Sequence, residues 1–105
     1  MIHHIIYIEL HPGVDKSAVE ELVRTSRSLL LKIPEVLSVR SGRNLDPESP
    51  WQFYFSIEVD SLEKLRATLN NAFYIKLMEK TIRPVTRERL TLDYELDPSK
   101  DLKYS

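Results

Sequence analysis

The chain has 105 residues, 42% hydrophobic and 30% charged, with 15 basic against 16 acidic side chains and a formal net charge of −1. That length supports one domain with a real core, and the even mixing of charge excludes the basic footprint that nucleic acid or a membrane surface requires. No cysteine is present, so disulfides, thiolate metal sites and a cysteine nucleophile are excluded.

Residues 2–10 are β-branched and aromatic, followed by His11-Pro12-Gly13 as a turn, and read as a strand. In residues 14–35 an N-cap at Asp15 or Ser17, with Ser17 and Glu20 fitting a capping box, precedes a helical spacing of Val19, Leu22, Val23, Ser26, Leu29, Leu30 and Ile33. Pro34 is expected to end that helix. A second strand is expected over 36–45, a polar loop over 46–50 and a third strand over 51–59. Asp60 and Glu63 suggest another capping box, before a helical segment 61–69 whose Leu62, Leu65 and Leu69 share a face. The run Asn70-Asn71-Ala72-Phe73 interrupts the pattern, which restarts over 74–82, so two short bent helices are expected. Residues 86–96 read as a fourth strand, and the domain is taken as 1–96 with a polar tail over 97–105, loose or in contact with a partner.

The order β-α-β-β-α-β is the ferredoxin-like, split βαβ α+β pattern, a four-stranded antiparallel sheet with helices on one face. Strand alternation places His4, Ile6, Ile8, Phe53, Phe55, Ile57, Val59, Arg89, Thr91 and Asp93 on the helix side. The opposite face would carry Ile5, Tyr7, Tyr54, Leu90, Leu92 and Tyr94. An apolar face that no helix covers signals an interface, and two such sheets facing each other predict a homodimer.

Several signals are missing. Gly13 and Gly42 are the only glycines, so no phosphate loop exists, and neither a nucleophile elbow nor a His-Glu-x-x-His pattern is present. No cofactor is implied. No basic segment precedes an apolar stretch at the N-terminus, and no apolar run nears the ~20 residues of a membrane helix, which together predict a cytoplasmic protein without membrane contact. His3 and His4 are adjacent on a strand and face opposite ways, so they do not chelate one ion, and no metal site is expected.

The segments "IHHIIYIELHPGV", "KIPEVLSVRSGRN" and the "RP…LTLDYEL" close span nearly the whole chain to Leu96. In them the sequence resembles the stress-responsive α/β-barrel (Dabb) family. The resemblance implies a ferredoxin-like monomer and a dimeric α+β barrel formed by facing sheets. The family includes plant stress proteins and olivetolic acid cyclase, a cofactor-free polyketide cyclase using a histidine and a tyrosine in a pocket between sheet and helices. The cyclase's His-Pro-x-His segment corresponds to Asn71-Ala72-Phe73-Tyr74, its tyrosine to Thr68, and only the first-strand histidine is kept, as His4. The departure removes residue types that the cyclase mechanism needs.

Two roles stay open for His4. It is either a neutral base lining an apolar pocket or a core histidine bonded to Thr91 or Tyr74. Tyr74 is a candidate hydrogen-bond donor or acid, and otherwise an aromatic filling the core. Thr68 and Thr91 are candidate substrate-binding hydroxyls beside Phe55 and Ile6, with Thr68 alternatively bonding its own helix. Arg89, if it faces inward, needs a carboxylate or an anionic ligand; the alternative is solvation. Arg40 and Glu58 read as structural, and Trp51 as an interface anchor or pocket lid.

The leading expectation is therefore a homodimer with a stress role or a small apolar ligand and no cofactor. The alternative is a cofactor-independent cyclase or lyase acting on an enolisable, polyketide-like carbonyl compound, with His4 as base and Tyr74 as donor. A monooxygenase on the same fold is a third option resting on fold analogy.

Overall fold

A computed structural model describes residues 1–97, so apart from Asp97 the expected polar tail lies outside the described residues. Strand β1 (Ile2–Leu10) leads through a turn to helix α1 (Lys16–Leu30), then to β2 (Ser38–Arg43) and β3 (Phe53–Val59). Helices α2 (Leu62–Leu69) and α3 (Ala72–Lys76) follow, and a π-helical turn (Leu77–Ile82) and a short 3₁₀ turn (Arg83–Val85) lead into β4 (Thr86–Glu95). The strands form one antiparallel sheet in the order β2-β3-β1-β4. This is the ferredoxin-like arrangement. No helix among the described residues is long and apolar enough to cross a membrane.

Of the two caps expected for α1, Asp15 is the one used, and α2 is capped one residue after the expected Asp60. Asp15 is extended and its carboxylate accepts from the Ala18 amide at 2.8 Å. Ser17 therefore lies within the first turn of α1 and cannot cap it. The second cap is Ser61, which accepts from the Lys64 amide at 3.2 Å, and Asp60 precedes it. Helix α1 stops at Leu30, three residues before the residue preceding Pro34, and tight turns carry Ile33 into the core. The expected break between two helices narrows to Asn70–Asn71. Asn70 ends α2, while the Asn71 side chain accepts from the Phe73 amide at 2.8 Å and starts α3.

The core lies between the sheet and the helices. Ile6, Ile8, Phe53, Phe55, Ile57 and Val59 from the sheet meet Leu22, Leu30, Leu65, Leu77 and Ile82 from the helical layer, all buried. Burying one such side chain contributes about 1.5–3 kcal/mol before entropy is counted. On the opposite face Tyr7 stands between Trp51 and Tyr54, with ring centroids 6.5 and 6.1 Å away. Gly42 faces Tyr54 across the β2–β3 ladder, and a Cβ there would sit 3.2 Å from Tyr54 Cε1. The missing side chain lets the phenol ring lie along the sheet. Leu90 and Tyr94 on the same face are exposed, while Ile5, Tyr7 and Leu92 are half-buried.

Candidate functional site

The antiparallel register of β1 and β4 sets His4 directly opposite Asp93 on the helix side of the sheet. Opposed residues share a face with Cβ atoms about 5 Å apart, so the Asp93 carboxylate reaches His4 Nδ1. From the layer above, α3 brings the Tyr74 hydroxyl to 3.1 Å from His4 Nε2. The Tyr74 ring is held edge-on to Phe55 with centroids 6.4 Å apart. The result is a continuous chain, Asp93–His4–Tyr74.

The partners assign the tautomer. An ionised carboxylate only accepts, so Nδ1 carries the proton and donates it to Asp93. In the neutral ring Nε2 is then a lone-pair acceptor, and the Tyr74 O–H donates to it. His4 is 3% exposed, whereas the Asp93 side chain is 44% exposed. One end of the chain therefore touches water while its centre is dry. Burial raises the pKa of Tyr74 above its ordinary value of 10.0; the Arg89 charge works against that shift and the Asp93 charge adds to it. Tyr74 thus stays a neutral phenol well past neutral pH.

Of the expected site residues, the structure joins His4 and Tyr74 by a hydrogen bond and sets Phe55 edge-on to the Tyr74 ring. Ile6, Phe55 and Thr68 are fully packed between sheet and helices, so they form core rather than the wall of an open pocket. The Thr68 hydroxyl donates to the Lys64 carbonyl of its own helix at 2.8 Å. Thr91 pairs with Ile6 and is exposed, one pleat away from His4. The hydroxyl partner offered for His4 at Thr91 is therefore replaced by the carboxylate of Asp93. Arg89 is exposed. His3 points to the helix-free face, and among the described residues no three His, Asp or Glu side chains gather as metal ligands.

Asp93 is the functional candidate that sequence reasoning did not assign. Alternation puts it on the helix side, but its distance from His4 depends on the β1–β4 register. That register contains a bulge, since Glu9 pairs with Glu88 and Leu10 with Thr86, which leaves Arg87 as the extra residue. The two strands are remote in sequence, so no turn fixes their offset.

The sheet order and the one-sided helical layer define a ferredoxin-like α+β domain. Residues 2–96 match the model of the stress-responsive A/B barrel (Dabb) domain, and the chain belongs to that family. Among solved structures, it is similar to a dimeric ferredoxin-like protein of unknown function from Thermobifida fusca, at 21% identity over 90% of each chain with a TM-score of 0.80. A dimeric protein of unknown function from Bacteroides fragilis is 19% identical, with 90% of this chain and 95% of that chain covered and a TM-score of 0.76. The hydroxynitrile lyase of Passiflora edulis is 12% identical, with 92% and 94% covered and a TM-score of 0.77. No protein of curated function matches the chain.

Proposed function

We propose that the protein works as a cofactor-free homodimer, closed through the helix-free sheet face, that takes up a small apolar molecule, in keeping with the stress-responsive description of its family. The observation that carries this reading is the uncovered face itself. Ile5, Tyr7, Tyr54, Leu90, Leu92 and Tyr94 share it, and no helix among the described residues lies over it. An apolar surface of that kind is stabilised by a second copy. The Thermobifida fusca and Bacteroides fragilis relatives are described as dimeric, which supports the same arrangement. At the end of this face Tyr7, Trp51, Tyr54, Leu45 and Leu90 line a cleft of about 510 Å³. That is within the range of small-molecule sites, and it is the proposed place for the apolar ligand.

Sedimentation equilibrium of the wild type and of Leu92→Lys tests the dimer. The wild type is expected at twice the 12.3 kDa chain mass, and the variant at the chain mass with unchanged far-UV circular dichroism. A wild type that stays at the chain mass at tens of micromolar would remove the proposal.

The Asp93–His4–Tyr74 chain favours a second reading, cofactor-independent acid–base chemistry on an enolisable carbonyl compound. A base oriented on one nitrogen by a carboxylate and facing a hydroxyl on the other has the layout of an activated proton relay. In this reading the packing around Tyr74 opens to admit the substrate, whose proton passes to the Tyr74 oxygen as the phenolic proton passes to His4 Nε2. Because burial disfavours the phenolate, the two transfers run together. Asp93 stabilises the imidazolium that results. The Passiflora edulis relative is a hydroxynitrile lyase, which supports lyase chemistry on this fold by analogy. Turnover of a candidate carbonyl compound should fall at least ~100-fold in His4→Gln; equal turnover by that variant would end this reading.

A further inference from the structure

Two separate irregularities flank a cleft where the helical layer returns to the sheet. The chain widens into a π-helical turn at Leu77–Ile82, a feature that is rare and concentrated at functional sites. Beyond the intervening 3₁₀ turn the β-bulge at Arg87 breaks the β1–β4 ladder and re-aims side chains on that edge. Between them lies a cleft of about 460 Å³, floored by Met78 and Ile82 and rimmed by Arg83, Arg87 and Arg89. The cleft is braced from both sides, because the Thr86 hydroxyl donates to the Ile82 carbonyl at 2.6 Å and the His11 amide donates to the Val85 carbonyl at 2.9 Å.

The charges are unbalanced. Three guanidinium groups meet two carboxylates, Glu79 and Glu88, around the cleft. Glu79 is already committed to Arg83 at 3.0 Å. Arg87 and Arg89 form no ion pair among the described residues. One positive charge in excess suits a monoanion, and a flat guanidinium fork matches a carboxylate in particular. The apolar floor suits a hydrocarbon body.

We propose that this cleft binds a small organic carboxylate, with Arg87 and Arg89 on the carboxylate and Met78 and Ile82 against its hydrocarbon part. The site is independent of whether the Asp93–His4–Tyr74 chain moves protons. It does place a cationic anchor on the strand that also carries Asp93.

The test is an NMR titration of the isotope-labelled full chain with sodium benzoate, alongside neutral benzamide and inorganic phosphate. Benzoate is expected to shift the Thr86–Arg89 amides and the Met78 methyl in one saturable curve, while benzamide and phosphate leave them in place. Arg87→Gln and Arg89→Gln are each expected to weaken binding about five- to tenfold. Arg66→Gln, which removes an exposed charge from α2, should change it less than twofold. The proposal is overturned if benzoate produces no saturable shift, if phosphate binds the same residues as tightly, or if Arg66→Gln weakens binding as much as the cleft variants. Unchanged benzoate binding in both Arg87→Gln and Arg89→Gln, with dispersed native spectra, would overturn it too.

Discussion

Replacing Tyr74 by phenylalanine removes one oxygen and leaves His4 Nε2 facing an aromatic C–H. Tyr74 is 6% exposed and His4 3%, so water has little access to the vacated position. An unsatisfied buried acceptor costs about 1–3 kcal/mol, and the near-complete burial on both sides puts the expected loss at about 2 kcal/mol. With a urea m-value of about 2 kcal/mol/M, the midpoint should fall by about 1 M. Protein concentration must be held fixed, because any self-association would add to apparent stability. The effect also has a pH signature. Well below pH 10 the phenol is protonated in both folded and unfolded chains, and the gap between wild type and Tyr74→Phe is constant. Above the ordinary value of 10.0 the unfolded chain releases the proton while the folded chain keeps it, since burial raises the pKa. Wild-type stability then falls by up to about 1.4 kcal/mol per pH unit through this group, and the variant has no such term. Urea titrations between pH 7 and pH 11 should show the gap closing above pH 10. A variant as stable as the wild type at pH 7, or a gap that stays constant to pH 11, would refute the reasoning.

Other outcomes follow from the same structure. Phe55→Ala empties a fully buried position on the central strand β3 and should cost about 3–5 kcal/mol by denaturant melt; a loss below about 1 kcal/mol would mean the ring is not packed as described. Asp15→Ala removes the acceptor for the Ala18 amide and should cost about 1 kcal/mol, whereas Ser17→Ala should be nearly neutral. Asp93→Asn should cost less stability than Tyr74→Phe, because water reaches the exposed end of the chain; the reverse order in a urea series would contradict the burial argument.

The fold was legible because its signals are local and mutually consistent. The alternation of Phe53, Phe55, Ile57 and Val59 decides which side of β3 is buried, and the sheet follows that pattern. The helix on either side of Asn70–Asn71 was readable for the same reason. Element ends were less so, because Asp15 competed with Ser17 for a cap that only backbone geometry decides, and the expected Asp60 gave way to its neighbour Ser61. At the site, alternation identified the face of His4, Thr91 and Asp93 but not their neighbours. Whether His4 meets Thr91 or Asp93 is a matter of one pleat, and the bulge at Arg87 alters that count without any glycine or proline to mark it. The packing of Ile6, Phe55 and Thr68 into closed core, rather than around a void, is likewise a three-dimensional result.

The most direct test of the relay is the protonation of the His4 ring, read by long-range ¹H–¹⁵N correlation at pH 7 with Asp93→Ala and Tyr74→Phe for assignment. The neutral ring is expected to carry its proton on Nδ1, facing Asp93, and a bare, hydrogen-bond-accepting Nε2 that shifts in Tyr74→Phe. A proton on Nε2 in the neutral ring, or an Nε2 signal indifferent to Tyr74, would contradict it.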